Sequence, residues 1–320
     1  MTITVEAMQL TKQYGGRSAI EDVSFTASQG EIVGLLGPNG AGKTTTIRLL
    51  TTVLEPTSGE FSIAGHRSTA APEIRRSIGV LPESSGYPSH QTGGEYLRYH
   101  GRLYGLSRSQ ARSASAELLA SVGLAERSRS SISTYSRGMR QRLGIARALI
   151  NDPVVVFLDE PTLGLDPAGQ AQVLNIIRSI AKARDATVVL STHVLPEVEE
   201  VCSKVVILNH GRVVASGSVG EVIKTALIEQ SAQLRVTLDL VERAPNVLAG
   251  FPDHTIDQAA GQPDVLILAV DRPGTGVAPG EVMNEVLAAI TAAGIPVLRF
   301  ELEGARLSDA FLKMTSEAVA

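Results

Sequence analysis

The chain has 320 residues, 43% of them hydrophobic and 19% charged, which suffices for one large domain and a smaller one. Its net charge of -4 offers no electrostatic reason to expect nucleic acid as a partner, and the lone Cys202 excludes an internal disulfide and suits a reducing compartment. No apolar run approaches the roughly 20 residues that cross a bilayer, and the N-terminus lacks a basic, apolar, small-residue leader pattern; for work at a membrane, another chain must do the crossing.

In chain order, the first strong element is a strand over Ile32 to Leu36, which runs into Gly37-Pro38-Asn39-Gly40-Ala41-Gly42-Lys43-Thr44 and an apolar helix with Ile47, Leu49 and Leu50. Short apolar runs at Ile78–Leu81, Val154–Leu158, Val188–Ser191 and Val205–Leu208 read as further strands covered on both faces. Helix-like segments lie between them, one of them after Pro167, so the pattern predicts a mainly parallel, doubly wound sheet up to about Ser218. Gly93 to Val122 has little strand character and is predicted to form a helical insert; the Ser- and Arg-rich stretch from Ser107 to Ser136 reads as its solvated surface.

The character changes after that. Thr225 to Gln233 is a polar stretch without turn residues, a linker or helix into a second domain. There Leu234, Val236, Leu238 and Leu240 alternate with polar residues, Val265 to Val270 is strand-like, and Val282, Val286 and Ile290 recur at helical spacing beside Met283 and Leu287. Leu298, Phe300 and Leu302 alternate again, and a last helix carries Leu307, Ala310, Phe311 and Met314, which together predict a small α+β fold of split β-α-β type. Arg272-Pro273-Gly274-Thr275-Gly276 reads as a surface turn.

The glycine loop is where chemistry starts. A polyphosphate needs several backbone N–H groups converging on it, and residues without Cβ permit that wrap, hence Gly37, Gly40 and Gly42. The following helix turns its N-terminus to the phosphates, Lys43 adds a point charge for the β and γ groups, and Thr44 offers a hydroxyl to Mg²⁺. Downstream, the strand ending in Leu158 delivers Asp159 to its tip, where a carboxylate reaches the magnesium shell, and Glu160 is placed to polarise a water.

Between these halves stands Tyr135-Ser136-Arg137-Gly138-Met139-Arg140-Gln141-Arg142. This order resembles an ATP-binding cassette over roughly Ile3 to Gly217. The resemblance implies a P-loop NTPase of cassette type, mainly parallel with antiparallel strands and a helical insert, followed by a small α+β domain. The corresponding boundaries are a cassette over 1–224 with its insert at about 84–140, a linker over 225–232 and an accessory domain over 233–320. It also implies site residues. Pro38, Asn39, Ala41 and Thr45 complete the phosphate loop, and Ser136 and Gly138 touch the γ-phosphate held by a facing cassette. Leu163-Gly164-Leu165-Asp166 communicates across the pair, His193 senses the γ-phosphate, and Tyr14 stacks on adenine.

Two departures narrow the branch. The family's signature is usually Leu-Ser-Gly-Gly-Gln and here reads Tyr135-Ser136-Arg137-Gly138-Met139, and Glu83, after Pro82, stands where the family usually has a glutamine beside the magnesium and attacking water. Both look like the bacterial cassettes that serve type-2 exporter permeases, including drug-resistance and gliding-motility ATPase subunits. That likeness implies an ATP- and Mg²⁺-dependent ATPase paired with a second copy of itself. It would be peripheral at the cytoplasmic face of the cell membrane through a separate transmembrane permease, with no nucleic acid partner. An import cassette and a soluble non-transport cassette are the alternatives, and the cargo stays open.

Overall fold

The computed structural model describes residues 2–83, 86–226, 230–237, 241–244, 247, 254–258, 264–270, 279–303 and 307–317. Leu238, Leu240 and the turn read at Arg272–Gly276 lie outside them. The chain divides into two compact units, Met1–Val219 and Gly220–Ala320.

The first unit holds two sheets. Strands β1 (Ile3–Tyr14), β2 (Arg17–Ser28), β4 (Ser58–Ile63) and β5 (His66–Arg67) pair antiparallel in the order β2-β1-β4-β5. The second sheet comprises β3 (Ile32–Leu36), β6 (Ile78–Leu81), β7 (Val155–Asp159), β8 (Thr187–Thr192), β9 (Lys204–Asn209) and β10 (Arg212–Ser218), ordered β10-β9-β3-β8-β7-β6. All its neighbours are parallel except β10, which returns antiparallel on β9.

The predicted strands are apolar along their whole length because both faces of this sheet are covered. Val155 and Phe157 of β7 face one core with Val189 and helix α1 (Lys43–Leu50), whereas Val156 and Leu158 face another with Val188, Leu190, Leu143 and Ile177. The register aligns strand tips: Leu36 of β3 lies opposite Thr192 of β8, and Asp159 of β7 opposite Ser191. Whatever follows β3, β7 and β8 therefore emerges at one edge.

The remaining helices are α2 (Ala71–Ser77), α3 (Gly93–Leu103), α4 (Arg108–Ser121), α5 (Arg137–Ala148), α6 (Pro167–Arg184), α7 (Leu195–Val201) and α8 (Val219–Ala226). The insert starts its helices with reciprocal caps, Thr92 with Glu95 for α3 and Ser107 with Gln110 for α4, each satisfying two end N–H groups. Arg108, Ser109, Arg112 and Ser113 are exposed, as a solvated surface requires, but Ser115 is buried and donates to Gly94 O at 3.2 Å.

The second unit is an antiparallel sheet of β11 (Gln230–Val236), β12 (His254–Gln258), β13 (Val265–Val270) and β14 (Val297–Glu303), ordered β12-β13-β11-β14. β13 lies between β11 and β12 and runs against both, the interleaving of a split β-α-β unit. Its described helices include all of α8 from Gly220 on, a short turn at Val241–Arg243, Pro279–Ala292 and Leu307–Glu317. β11 begins at Gln230, inside the stretch read as linker, because Gln230 already pairs with Val270. Leu234, Val236, Leu266, Val286, Ile290 and Ile295 form its core. The alternation read at Leu298 does not hold: a register shift between Arg235 and Val236 pairs Val297 with Val236 and leaves Leu298 61% exposed. Among the described residues no helix is long and apolar enough to cross a membrane.

Candidate functional site

The loop after β3 is shaped by contacts that tolerate no side chain. A Cβ on Gly42 would lie 2.5 Å from Ile20 Cγ2, and one on Gly37 would lie 2.4 Å from Leu208 O. Gly42, at φ 103°, caps α1 without any side-chain acceptor, so the first-turn N–H groups of this helix are left for an anion. Lys43 is only 6% exposed. Its Nζ donates to Gly37 O at 2.7 Å and to Pro38 O at 3.3 Å, and lies 3.6 Å from Glu160 Oε1. The backbone holds the ammonium over the loop.

The tips of β7 and β8 bring the acids. Asp159 ends β7, nine-tenths buried or more, and its Oδ1 accepts from Ser191 Oγ at 2.5 Å and from Thr44 Oγ1 at 3.2 Å. Glu160 then leaves the strand path at φ 48°, a left-handed conformation that costs a non-glycine residue about 1–3 kcal/mol. Its N–H donates to Ser191 O at 3.2 Å and Ser191 Oγ at 3.0 Å. That turn sets Glu160 Oε2 3.0 Å from His193 Nδ1, so the carboxylate sits between an ammonium and an imidazole.

Asn39 to Thr45, Glu83 and Glu160 line one cleft of about 380 Å³, with Ser18, Ala19 and His210 completing it. The residues fit a magnesium nucleotide: the capless helix start and Lys43 suit a polyphosphate, while the Thr44 hydroxyl and Asp159 carboxylate offer converging oxygens. Magnesium typically takes one or two protein carboxylates and fills its octahedron with phosphate and water oxygens. Glu83 is exposed on the cleft wall. Tyr14 is not on that lining; it ends β1 half exposed, with Lys12 Nζ 5.4 Å from its ring centre.

Ser136, Gly138 and Asp166 line a different cavity, of about 280 Å³, with Arg137, Gly164 and Leu165. Ser136 caps α5, its Oγ accepting from Met139 N at 3.2 Å, and Asp166 caps α6, accepting from Gly169 N at 3.3 Å. The Arg137 guanidinium covers Gly164, where a Cβ would lie 2.5 Å from Cζ. Tyr135, just before, is buried, and its hydroxyl donates to Arg127 O at 2.6 Å. Burial raises its pKa, which keeps it a neutral donor. A Cβ on Gly93 would come within 2.4 Å of that hydroxyl.

Sequence reasoning missed two contributors. His210, at φ 46° in the turn between β9 and β10, reaches the cleft because Gly211 N donates to Ala41 O at 3.1 Å; the Asn209-His210-Gly211 turn pattern was the available signal. Glu197, 5% exposed beside the strand tips, carried none, since its partners lie on two other segments.

A family model described as ABC transporter matches residues 20–163. The daunorubicin/doxorubicin resistance ATP-binding protein DrrA of Streptomyces peucetius is 36% identical over 98% of this chain and 93% of its own length. The linearmycin resistance ATP-binding protein LnrL of Bacillus subtilis (strain 168) is 30% identical over 98% of this chain and 99% of its own. A solved structure described as the ATP binding subunit of ABC transporter superposes with a TM-score of 0.63 at 36% identity, over 69% of this chain and 92% of that one. With such likeness along nearly its full length, and a buried lysine set beside a glutamate at the end of a phosphate loop, the chain belongs to the ABC transporter family as an ATP-binding, ATP-hydrolysing cassette subunit related to drug-resistance ATP-binding proteins.

Proposed function

We propose that two copies of this chain close head to tail on two Mg-ATP and drive a separate transmembrane permease in the direction of export. One observation carries the pairing: Ser136, Gly138 and Asp166 line one cavity while Lys43, Thr44 and Glu160 line another. For Ser136 to meet a phosphate held by Lys43, a second chain must supply it, and a two-fold pair supplies both contacts at once.

Within each site the loop N–H groups and Lys43 hold the β and γ phosphates, and Thr44 with Asp159 would hold the metal. Bound magnesium supplies charge neutralisation between the phosphates. Glu160 takes the proton of the attacking water; its Oε2 contact with His193 fixes its direction, while the imidazole's other nitrogen is free to face the γ-phosphate. Glu83 accepts from water at the cleft wall, and the exposed ring of Tyr14, outside the lining, is assigned to stack on adenine.

Export is supported by the two resistance ATPases, DrrA and LnrL, and by the Glu83 and Tyr135–Met139 variants. The permease surface is placed on the insert. Tyr99, Leu103 and Tyr104 are exposed at 54%, 63% and 47%, beside a groove lined by His100, Arg147 and Val80. An apolar helix end of this kind suits a permease's cytoplasmic helix, which would hold the subunit on the cytoplasmic membrane face. The domain from Leu234 on is assigned to steadying the pair, and its deletion should weaken ATP-driven dimerisation.

The test uses the full-length Glu160→Gln protein with ATP. Light scattering should give twice the monomer mass, and purification from detergent-solubilised cells should bring a near-stoichiometric multi-span membrane protein. A monomer in ATP removes the sandwich; recovery with ribosomes removes the transporter role.

A further inference from the structure

We propose that Glu197 is a positioning residue for ATP hydrolysis, tying the chain segment that carries Glu160 to the one that carries His193. The inference rests on the reading of those two residues as the hydrolytic pair. Glu197 lies in the first turn of α7 and is 5% exposed. An acid so deeply buried is costly unless hydrogen-bonded.

Its partners come from both segments. Glu197 Oε2 accepts from Thr162 Oγ1 at 2.7 Å and from Thr192 Oγ1 at 3.1 Å. Thr162 lies two residues after Glu160, and Thr192 immediately precedes His193. Thr192 Oγ1 also accepts from Val194 N at 3.1 Å, so a single chain of hydrogen bonds runs from the backbone after His193, through Thr192 and Glu197, to the residue two places after Glu160.

This bridge takes over where the sheet stops. The β7–β8 ladder ends with Asp159 opposite Ser191, leaving Glu160 and His193 beyond the last pair. Past that point the Glu160 N–H bonds to Ser191 hold one side, and Glu197 joins the two segments across the gap. The Glu160 Oε2 to His193 Nδ1 distance of 3.0 Å leaves little tolerance, and a misplacement of about 1 Å in a reacting group costs on the order of 10²-fold in rate.

Stability alone does not account for the residue. Glu197 Oε1 is buried without a hydrogen-bond partner, burial raises the carboxyl pKa, and nearby Glu160 raises it further against the threonine hydroxyls. A well-packed apolar side chain would relieve these penalties. What it would not do is accept from Thr162 and Thr192 together. Because the bridge uses an accepting oxygen and not a charge, glutamine should preserve it.

The experiment is steady-state ATP hydrolysis by the full chain carrying Glu197→Ala, Glu197→Gln or Thr162→Val, with the affinity for a fluorescent ATP analogue and the melting temperature measured alongside. Glu197→Ala is expected to lower kcat about 10- to 100-fold with KM and analogue affinity within about 2-fold. Glu197→Gln should return to within about 3-fold of wild type, and adding Thr162→Val to Glu197→Ala should cost little more than the alanine alone. If alanine leaves kcat unchanged, if glutamine is as damaging as alanine, or if analogue affinity falls in step with kcat, the proposal is overturned. Should Glu197→Ala fail to fold, the isosteric pair decides instead: Thr162→Val should be slow and Glu197→Gln fast, and the reverse order overturns the bridge. Glu160→Gln runs in the same assay: wild-type kcat there would mean the hydrolytic pair itself is misassigned, whereas a slow Glu160→Gln beside a fast Glu197→Ala removes only Glu197.

Discussion

Two helix starts, α1 and α5, present the same physical device and finish it differently. α1 is capped by a glycine with no side chain, carries the buried Lys43 at its first position, and abuts Asp159 and Glu160. α5 is capped by the exposed Ser136, whose oxygen already accepts from Met139 N and keeps only its O–H to give. The arginines around it are engaged elsewhere: Arg140 donates to Tyr135 O at 2.7 Å, Arg142 to Val122 O at 2.9 Å, and Arg137 covers Gly164. A helix N-terminus is a ready anion site in either case. Under the proposed function, the start closed by a lysine, a hydroxyl and two acids is the reaction centre, and the one closed by a single hydroxyl is a contact for something brought to it.

The largest expected effect breaks the first start. Lys43→Ala removes the loop's cation and strands Glu160 without its ammonium neighbour, so ATP affinity by calorimetry should fall at least about 100-fold, as for a buried charge-assisted contact; affinity within a few-fold of wild type would contradict the role given to that helix. Next, Glu160→Gln separates reaction from binding at the same start: kcat should drop about 10²- to 10⁴-fold with nucleotide affinity retained. Ser136→Ala addresses the second start. The monomer should bind ATP as before, while ATP-driven dimerisation weakens about 100-fold, the worth of two hydrogen bonds to charged groups, one in each site of the pair. Equal losses in monomer affinity and dimerisation would erase the distinction between the two helices.

The smallest effect lies in the insert that carries α5. His100 packs edge-on against Tyr96 with ring centres 4.6 Å apart, and burial, then Arg147, pushes its pKa from 6.5 down to about 4. The folded chain thus holds a neutral imidazole that the unfolded chain protonates first. Its contribution is complete above about pH 6.5 and is lost as the pH falls towards about 4. Melting temperatures of wild type and His100→Phe should diverge over that window, wild type falling faster, and a constant difference would show that His100 does not titrate as described.

What was legible in the sequence was whatever is written locally. Gly37 to Thr44 declares itself because a strand, three glycines, a lysine and a helix must follow in sequence for the wrap to form, and Asp159-Glu160 because two acids directly after an apolar run mark the end of a buried strand. The alternation at Leu234 and Val236 announced a strand for the same reason, and both residues lie in the core beside β11's partners. Illegible were features made by the neighbour strand. Ser191 reaches Asp159 only because β8 lies beside β7, the Glu197 bridge needs both tips, and Leu298 is turned out by a bulge whose cause is the partner strand's register. The antiparallel sheet of β1, β2, β4 and β5 was likewise not distinguishable as a separate layer, since alternation in β1 says which face is apolar but not which strands complete it.

Tyr135 and Gly93 show how such a neighbour contact couples two positions far apart in the chain. The phenol occupies the space a Cβ at position 93 would need, so an alanine there has to displace the Tyr135 hydroxyl, and a residue without that hydroxyl at 135 removes the clash. Position 93 opens α3 and position 135 stands directly before the Ser136 cap of α5, 42 residues later by their numbers. The two positions are therefore coupled through one oxygen atom: Gly93→Ala should cost less stability beside Tyr135→Phe than beside the tyrosine.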